Sequence, residues 1–151
     1  MDSVLIRRLG PDDLPAVLHL EILCFSDPWS RDGLRAALAE EYGRWYGAFS
    51  ENKLVGMLGT QVLEPEAEIL SVAAHPDHRR KGIAKALLAR FFEENPGLGS
   101  VFLEVRRSNL PAQALYASFG FAVYGERKNY YGRPVEDAIL MSRTQAAEES
   151  C

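Results

Sequence analysis

Cysteine is scarce in this chain. Of 151 residues two are Cys: Cys24 sits in an apolar stretch of helical spacing and Cys151 is the last position, which supports neither a disulfide framework nor a zinc site. No metal is expected, and a reducing cytoplasm is the compartment that fits. No uncharged apolar run reaches membrane-spanning length, and Met1-Asp2-Ser3 leads straight into a strand-like run without an apolar signal core, so a soluble, unexported protein with no membrane partner is expected. An excess of positive charge is also missing. Seventeen Lys and Arg against 21 Asp and Glu, a net charge of −4, argue against direct nucleic-acid binding by broad phosphate neutralisation and make a cationic substrate more natural. Repeats and low-complexity tracts are absent. With 47% hydrophobic residues, 1–143 should form a single domain with one core, followed by a frayed polar tail over 144–151.

Local signals order the elements. Val4 to Leu9 reads as a strand closed by Gly10-Pro11, and Leu14, Val17 and Leu18 then recur at helical spacing to Cys24. Phe25-Ser26-Asp27-Pro28-Trp29-Ser30 reads as a loop whose last residue caps a helix through Leu38. Arg44 to Phe49 and Leu54 to Val62, joined at Glu51-Asn52-Lys53, predict an antiparallel hairpin. Glu68 to Ala73 is the next strand, and a helix follows to about Glu94, stopped by Asn95-Pro96-Gly97. Ser100 to Val105 alternates, placing Val101, Leu103 and Val105 on one face and Phe102 and Glu104 on the other. Ser108-Asn109 caps a helix through Phe119 with Pro111 in its first turn, Gly120 ends it, and strands over 121–124 and 137–141 complete a mixed α/β sheet.

The segment of most chemical interest is Val72-Ala73-Ala74-His75-Pro76-Asp77-His78-Arg79-Arg80-Lys81-Gly82-Ile83-Ala84-Lys85. An apolar strand here runs through a basic turn into an amphipathic helix. Unpaired N–H groups and the macrodipole make a helix N-terminus receptive to an anion, and Arg79, Arg80 and Lys81 add positive potential. Read by itself, the turn is either a solvated helix start or an anion cradle. It lacks the glycines of a dinucleotide fingerprint and the Gly-Lys-Ser/Thr of a nucleotide P-loop. His75 and His78 read as residues lining an exposed turn.

Arg79, Gly82 and Ala84 resemble the acetyl-CoA signature Gln/Arg-x-x-Gly-x-Gly/Ala of the GNAT superfamily of N-acetyltransferases. Leu103-Glu104-Val105-Arg106-Arg107-Ser108-Asn109, Ala114 through Phe121, the Pro28-Trp29 loop and Asn129-Tyr130-Tyr131 extend the likeness, from about Ile6 to Met141, to the RimI-type ribosomal-protein alanine N-acetyltransferases. The resemblance implies a mixed, mostly antiparallel sheet flanked by helices, with strands near 68–74 and 100–105 splayed to hold acetyl-CoA. It assigns the pantetheine to backbone groups of Val72, Ala73 and Ala74 and to Asn109, and the diphosphate to Arg79 and to the amides of Arg80, Lys81, Gly82, Ile83, Ala84 and Lys85.

By the same resemblance Glu104 is the proton acceptor and Tyr116 the proton donor, while Trp29, Tyr130 and Tyr131 contact the substrate. For Trp29 an anchoring role in the core is an equal reading, and Tyr130 and Tyr131 are placed in a loop. The reaction implied is direct transfer from acetyl-CoA to the N-terminal amine of a protein, the alanine of a small-subunit ribosomal protein. An acetyltransferase for a small amine or a lysine side chain, and a non-catalytic acetyl-CoA-binding module, are the alternatives. The segment Gly132-Arg133-Pro134-Val135-Glu136-Asp137 departs from the ribosomal-protein enzymes, being shorter.

Overall fold

The computed structural model describes residues 4–144; the tail expected over 144–151 lies almost wholly outside them, as does Cys151. Seven strands and four helices follow in the order β1 (Leu5–Leu9), α1 (Leu14–Cys24), α2 (Arg31–Ala39), β2 (Gly43–Ser50), β3 (Lys53–Leu63), β4 (Glu66–Ala74), α3 (Ile83–Glu94), β5 (Ser100–Arg106), α4 (Leu110–Ser118), β6 (Ala122–Tyr131) and β7 (Glu136–Thr144). The strand order is β1-β2-β3-β4-β5-β7-β6. The chain divides into two compact units: residues to Gln61 with Ser71–Pro96, and Val62–Leu70 with Gly97 onward. Strand β4 thus contributes its first part to the second unit and its last four residues to the first.

In the first unit β1, β2 and β3 form an antiparallel meander, with Leu9 opposite Trp45 and Tyr46 opposite Leu58. The β2–β3 turn falls where the polar residues predicted it, with Glu51 and Asn52 at positive φ. Ser30 caps α2 by accepting from Gly33 N at 3.0 Å. Leu87, Leu88 and Phe91 of α3 are fully buried, and the Phe91 ring meets Tyr46 edge-on at 6.2 Å. Asn95 closes α3 with its own side chain, Nδ2 donating to Phe91 O at 2.7 Å.

In the second unit β4 and β5 pair in parallel from Glu66–Ser100 to Glu68–Phe102. Strand β7 lies antiparallel to both β5 and β6. Strand β6 is longer than the sequence suggests. It continues through Tyr130 and Tyr131, so these two residues end a strand rather than lie in a loop. Register shifts between Val123 and Gly125 and between Arg127 and Tyr131 interrupt its alternation, which hides the strand from a period-two reading.

Candidate active site

The first unit carries the basic turn. Strand β4 ends with Ser71 and Ala73 buried and Val72 and Ala74 half-buried, as alternation requires. The chain is then fastened to β3, His75 N donating to Val55 O at 2.8 Å. Arg79 folds back so that its Nε donates to Ala74 O at 3.3 Å, a carbonyl that also accepts from Cys24 Sγ at 3.3 Å. Arg80 and Gly82 take left-handed backbone angles, φ +66° and +76°. Gly82 is needed for that angle rather than for space, since a Cβ there would meet nothing within 4 Å.

No side chain caps α3, and its first helical bond runs from Ala86 N to Gly82 O at 2.9 Å. The N–H groups of Ile83, Ala84 and Lys85 precede that bond, with Arg80, Lys81 and Lys85 exposed around them. This arrangement is chemically suited to receive an anion. His75 corrects the sequence reading: it is buried, 9% exposed, because its ring packs edge-on against His78 at 5.6 Å and its Nδ1 accepts from Asp77 N. Among the described residues no group of three or more His, Cys, Asp or Glu is arranged to hold a metal ion.

Trp29, also in the first unit, packs edge-on against buried Trp45 at 6.0 Å, and its backbone N–H donates to Glu21 Oε1 at 3.0 Å. Trp29 itself is half-buried, so the ring that meets Trp45 is also partly open to solvent.

The second unit carries Glu104, Asn109, Tyr116, Tyr130 and Tyr131. On β5, Val101, Leu103 and Val105 are buried, and Phe102, Glu104 and Arg106 share the opposite, half-exposed face. Glu68, opposite Phe102 in register, belongs to that face as well. The Tyr124 ring meets Phe102 edge-on at 6.2 Å, and Tyr130 meets Tyr131 at 5.0 Å. Burial pushes the Glu68 carboxyl above its ordinary range, the nearby Glu104 charge adds to this, and Arg127 opposes it.

Tyr131 is pushed up to about 12, chiefly by burial and next by Glu104. Tyr116, 6% exposed, is raised by burial and then by Tyr131, so its phenol holds its proton throughout the neutral range. The Glu104 charge thus bears on Tyr131, and Tyr131 in turn bears on Tyr116. Asn109 caps α4, its Oδ1 accepting from Ala112 N at 3.2 Å. Sequence reasoning overlooked Glu68 and Arg106. Each stands on the Glu104 face by simple alternation, and following that face along β4 and to the end of β5 would have found them.

Whole-chain comparison identifies what kind of protein has this geometry. The chain is 37% identical over 143 residues to the alanine N-acetyltransferase of ribosomal protein bS18 from Escherichia coli, covering 91% of this chain and 95% of that protein. It is 34% identical over 148 residues to the N-alpha-acetyltransferase RimI of Mycobacterium tuberculosis, covering 94% and 93%. The crystal structure of the Escherichia coli bS18 enzyme superposes with a TM-score of 0.89 at 34% identity, over 94% of both chains. The class is that of the N-acetyltransferases. More particularly, the family model described as the acetyltransferase (GNAT) family matches residues 14–121, and the chain belongs to that family. Among the described residues no helix is long and apolar enough to cross a membrane.

Proposed function

We propose that this enzyme transfers the acetyl group of acetyl-CoA to the N-terminal α-amine of a protein, the alanine of a small-subunit ribosomal protein, by direct attack in a ternary complex. The observation that supports the chemistry is the placement of Glu104 on the half-exposed face of β5, in the same unit as the buried phenol of Tyr116. The names of the Escherichia coli and Mycobacterium tuberculosis relatives support an N-terminal amine as acceptor.

In this reading the uncapped amides at the start of α3, with Arg79, Arg80, Lys81 and Lys85, receive the diphosphate, while the backbone of Val72, Ala73 and Ala74 and the side chain of Asn109 meet the pantetheine. The amine nitrogen bonds to the thioester carbonyl carbon as the carbon–sulfur bond breaks. The amine proton passes to Glu104, directly or through a water. An α-amine has a pKa of roughly 7.7–8.0, against about 10.4 for lysine, so a carboxylate base is adequate near neutral pH. Tyr116 donates a hydrogen bond to the departing sulfur. The proton the departing sulfur takes up comes from Tyr116, whose phenol burial keeps protonated through the neutral range.

The test pairs a variant with an acceptor panel. Glu104→Gln should lower turnover by roughly two to four powers of ten with acetyl-CoA affinity nearly unchanged. An intact rate would place the base elsewhere. Strong turnover of polyamines or internal lysines, with none of alanyl peptides, would replace the N-terminal reading by the small-amine or lysine one, and no turnover of any amine would favour a binding module.

A further inference from the structure

Arg106 reaches from the end of β5 to the turn between β6 and β7. Its Nη2 donates to Gly132 O at 2.8 Å, and its Nη1 donates to Pro134 O at 3.0 Å and to Glu136 Oε1 at 3.1 Å. The same guanidinium lies 4.5 Å from the centroid of the Tyr131 ring. Glu136 uses its other oxygen to accept from Ser108 N at 2.6 Å. Gln113 of α4 holds the backbone behind Arg106, its Nε2 donating to Arg106 O and Arg107 O at 3.1 and 3.0 Å. One planar cation therefore spans the turn from Gly132 to Glu136 and carries an aromatic ring on its face.

The ion pair is shielded, its side chains 23% and 18% exposed, so solvent screens it less than a surface pair. The tip it braces contains Arg133 at φ +54°, a left-handed angle that a residue with a side chain adopts only when its surroundings enforce it.

We propose that Arg106 is a positioning residue for the acceptor peptide: it locks Tyr131 and the β6–β7 turn into one preformed wall beside Glu104. The peptide then meets a rigid surface instead of ordering a loop as it binds, which removes an entropic cost from association. This rests on the reading of Tyr131 as a peptide contact. It also accounts for arginine at this position. Three acceptors on the turn and a stacked ring require the planar fork, and a lysine ammonium cannot serve them together.

Steady-state kinetics of the full chain on an alanyl peptide test the proposal, with the acetyl-CoA dependence measured separately. Arg106→Ala and Arg106→Lys should each raise the peptide KM by about tenfold or more, with kcat at saturating peptide and the acetyl-CoA KM changed by less than about threefold. Tyr131→Leu should raise the peptide KM by itself, and Arg106→Ala added to it should contribute less than about twofold, because a positioning residue acts through the ring it holds.

If Arg106→Ala does not fold, Arg106→Lys and Glu136→Gln carry the same comparison. A wild-type peptide KM in Arg106→Lys, full additivity with Tyr131→Leu, or equal losses for peptide and acetyl-CoA would each overturn the positioning role while leaving the proposed acetylation intact. An unchanged KM in Tyr131→Leu alone would remove the ring from the peptide contact, and the proposal with it.

Discussion

Replacing Glu21 by Gln should make the protein more stable at neutral and alkaline pH, the reverse of what changing a buried residue usually does. Glu21 is 2% exposed; its Oε1 accepts from Trp29 N at 3.0 Å, whereas its buried Oε2 has no hydrogen-bond partner. Burial pushes the carboxyl up from its ordinary value, and the Trp29 amide and the Ser71 hydroxyl offset part of that, the latter from outside hydrogen-bonding geometry. A carboxyl with a raised pKa binds its proton more tightly in the folded chain than in the unfolded one. Its contribution to stability is therefore complete below the ordinary carboxylate pKa and is lost as pH rises through the raised value.

Gln keeps an acceptor for Trp29 N and puts a neutral amide where the orphaned oxyanion stands. The amide NH2 inherits the unpartnered position, so what the substitution recovers is the cost of holding a charge there, on the order of 1–3 kcal/mol. A gain of about 1–2 kcal/mol is expected, roughly 2–8 °C in midpoint for a chain of this size. Calorimetric melts from about pH 4 to about pH 8 should show the variant's advantage widest at the alkaline end and closing toward the acid end. An advantage independent of pH, or a variant less stable than wild type at the alkaline end, would refute the reasoning. Glu21→Ala is the contrasting control: it strands the Trp29 N–H and opens a cavity, and should cost about 2–4 kcal/mol.

Gly82→Trp should abolish acetyl-CoA binding in a calorimetric titration, since the indole would project from the proposed diphosphate cradle; Gly82→Ala should fold with a backbone penalty of about 1–2 kcal/mol from φ +76°. Normal affinity in Gly82→Trp would put the diphosphate elsewhere. Gly59→Ala should destabilise the first unit by about 1–3 kcal/mol in chemical denaturation, because the added methyl would lie 2.5 Å from the ring of Trp45, which is 2% exposed. An unchanged midpoint would mean that the indole moves freely.

The elements that local chemistry defines were legible in the sequence. Ser30 and Asn109 cap the helices they precede, and Glu51-Asn52 makes the β2–β3 turn. The alternation over β5 sorted Glu104 from Val101, Leu103 and Val105 correctly. What sequence reasoning missed depends on tertiary partners, on broken periodicity or on the packing of side chains within one turn. The bulges of β6 erase the pattern that would have carried the strand to Tyr131. His75 is buried by contacts at its own turn, although its Pro-Asp-His context looks exposed. Alternation places Arg106 on the Glu104 face, but its hydrogen bonds to Gly132, Pro134 and Glu136 come from 26 to 30 residues away and are not legible in the sequence.

Trp29 and Trp45 are the only tryptophans in the chain, and at 6.0 Å and 82° they form one optical centre inside the first unit. The indole nitrogen of Trp45 is buried without a hydrogen bond, an environment that shifts emission to the blue and makes it responsive to water entry. Intrinsic fluorescence excited at the red edge of absorption is thus a reporter of the unit that carries the basic turn, whereas the unit with Glu104 and Tyr116 contains tyrosine alone among the strong chromophores. Melts followed by emission read the first unit, while far-ultraviolet dichroism reads the helices and strands of both, so coincident curves mean that the two units unfold together and separated curves that they do not.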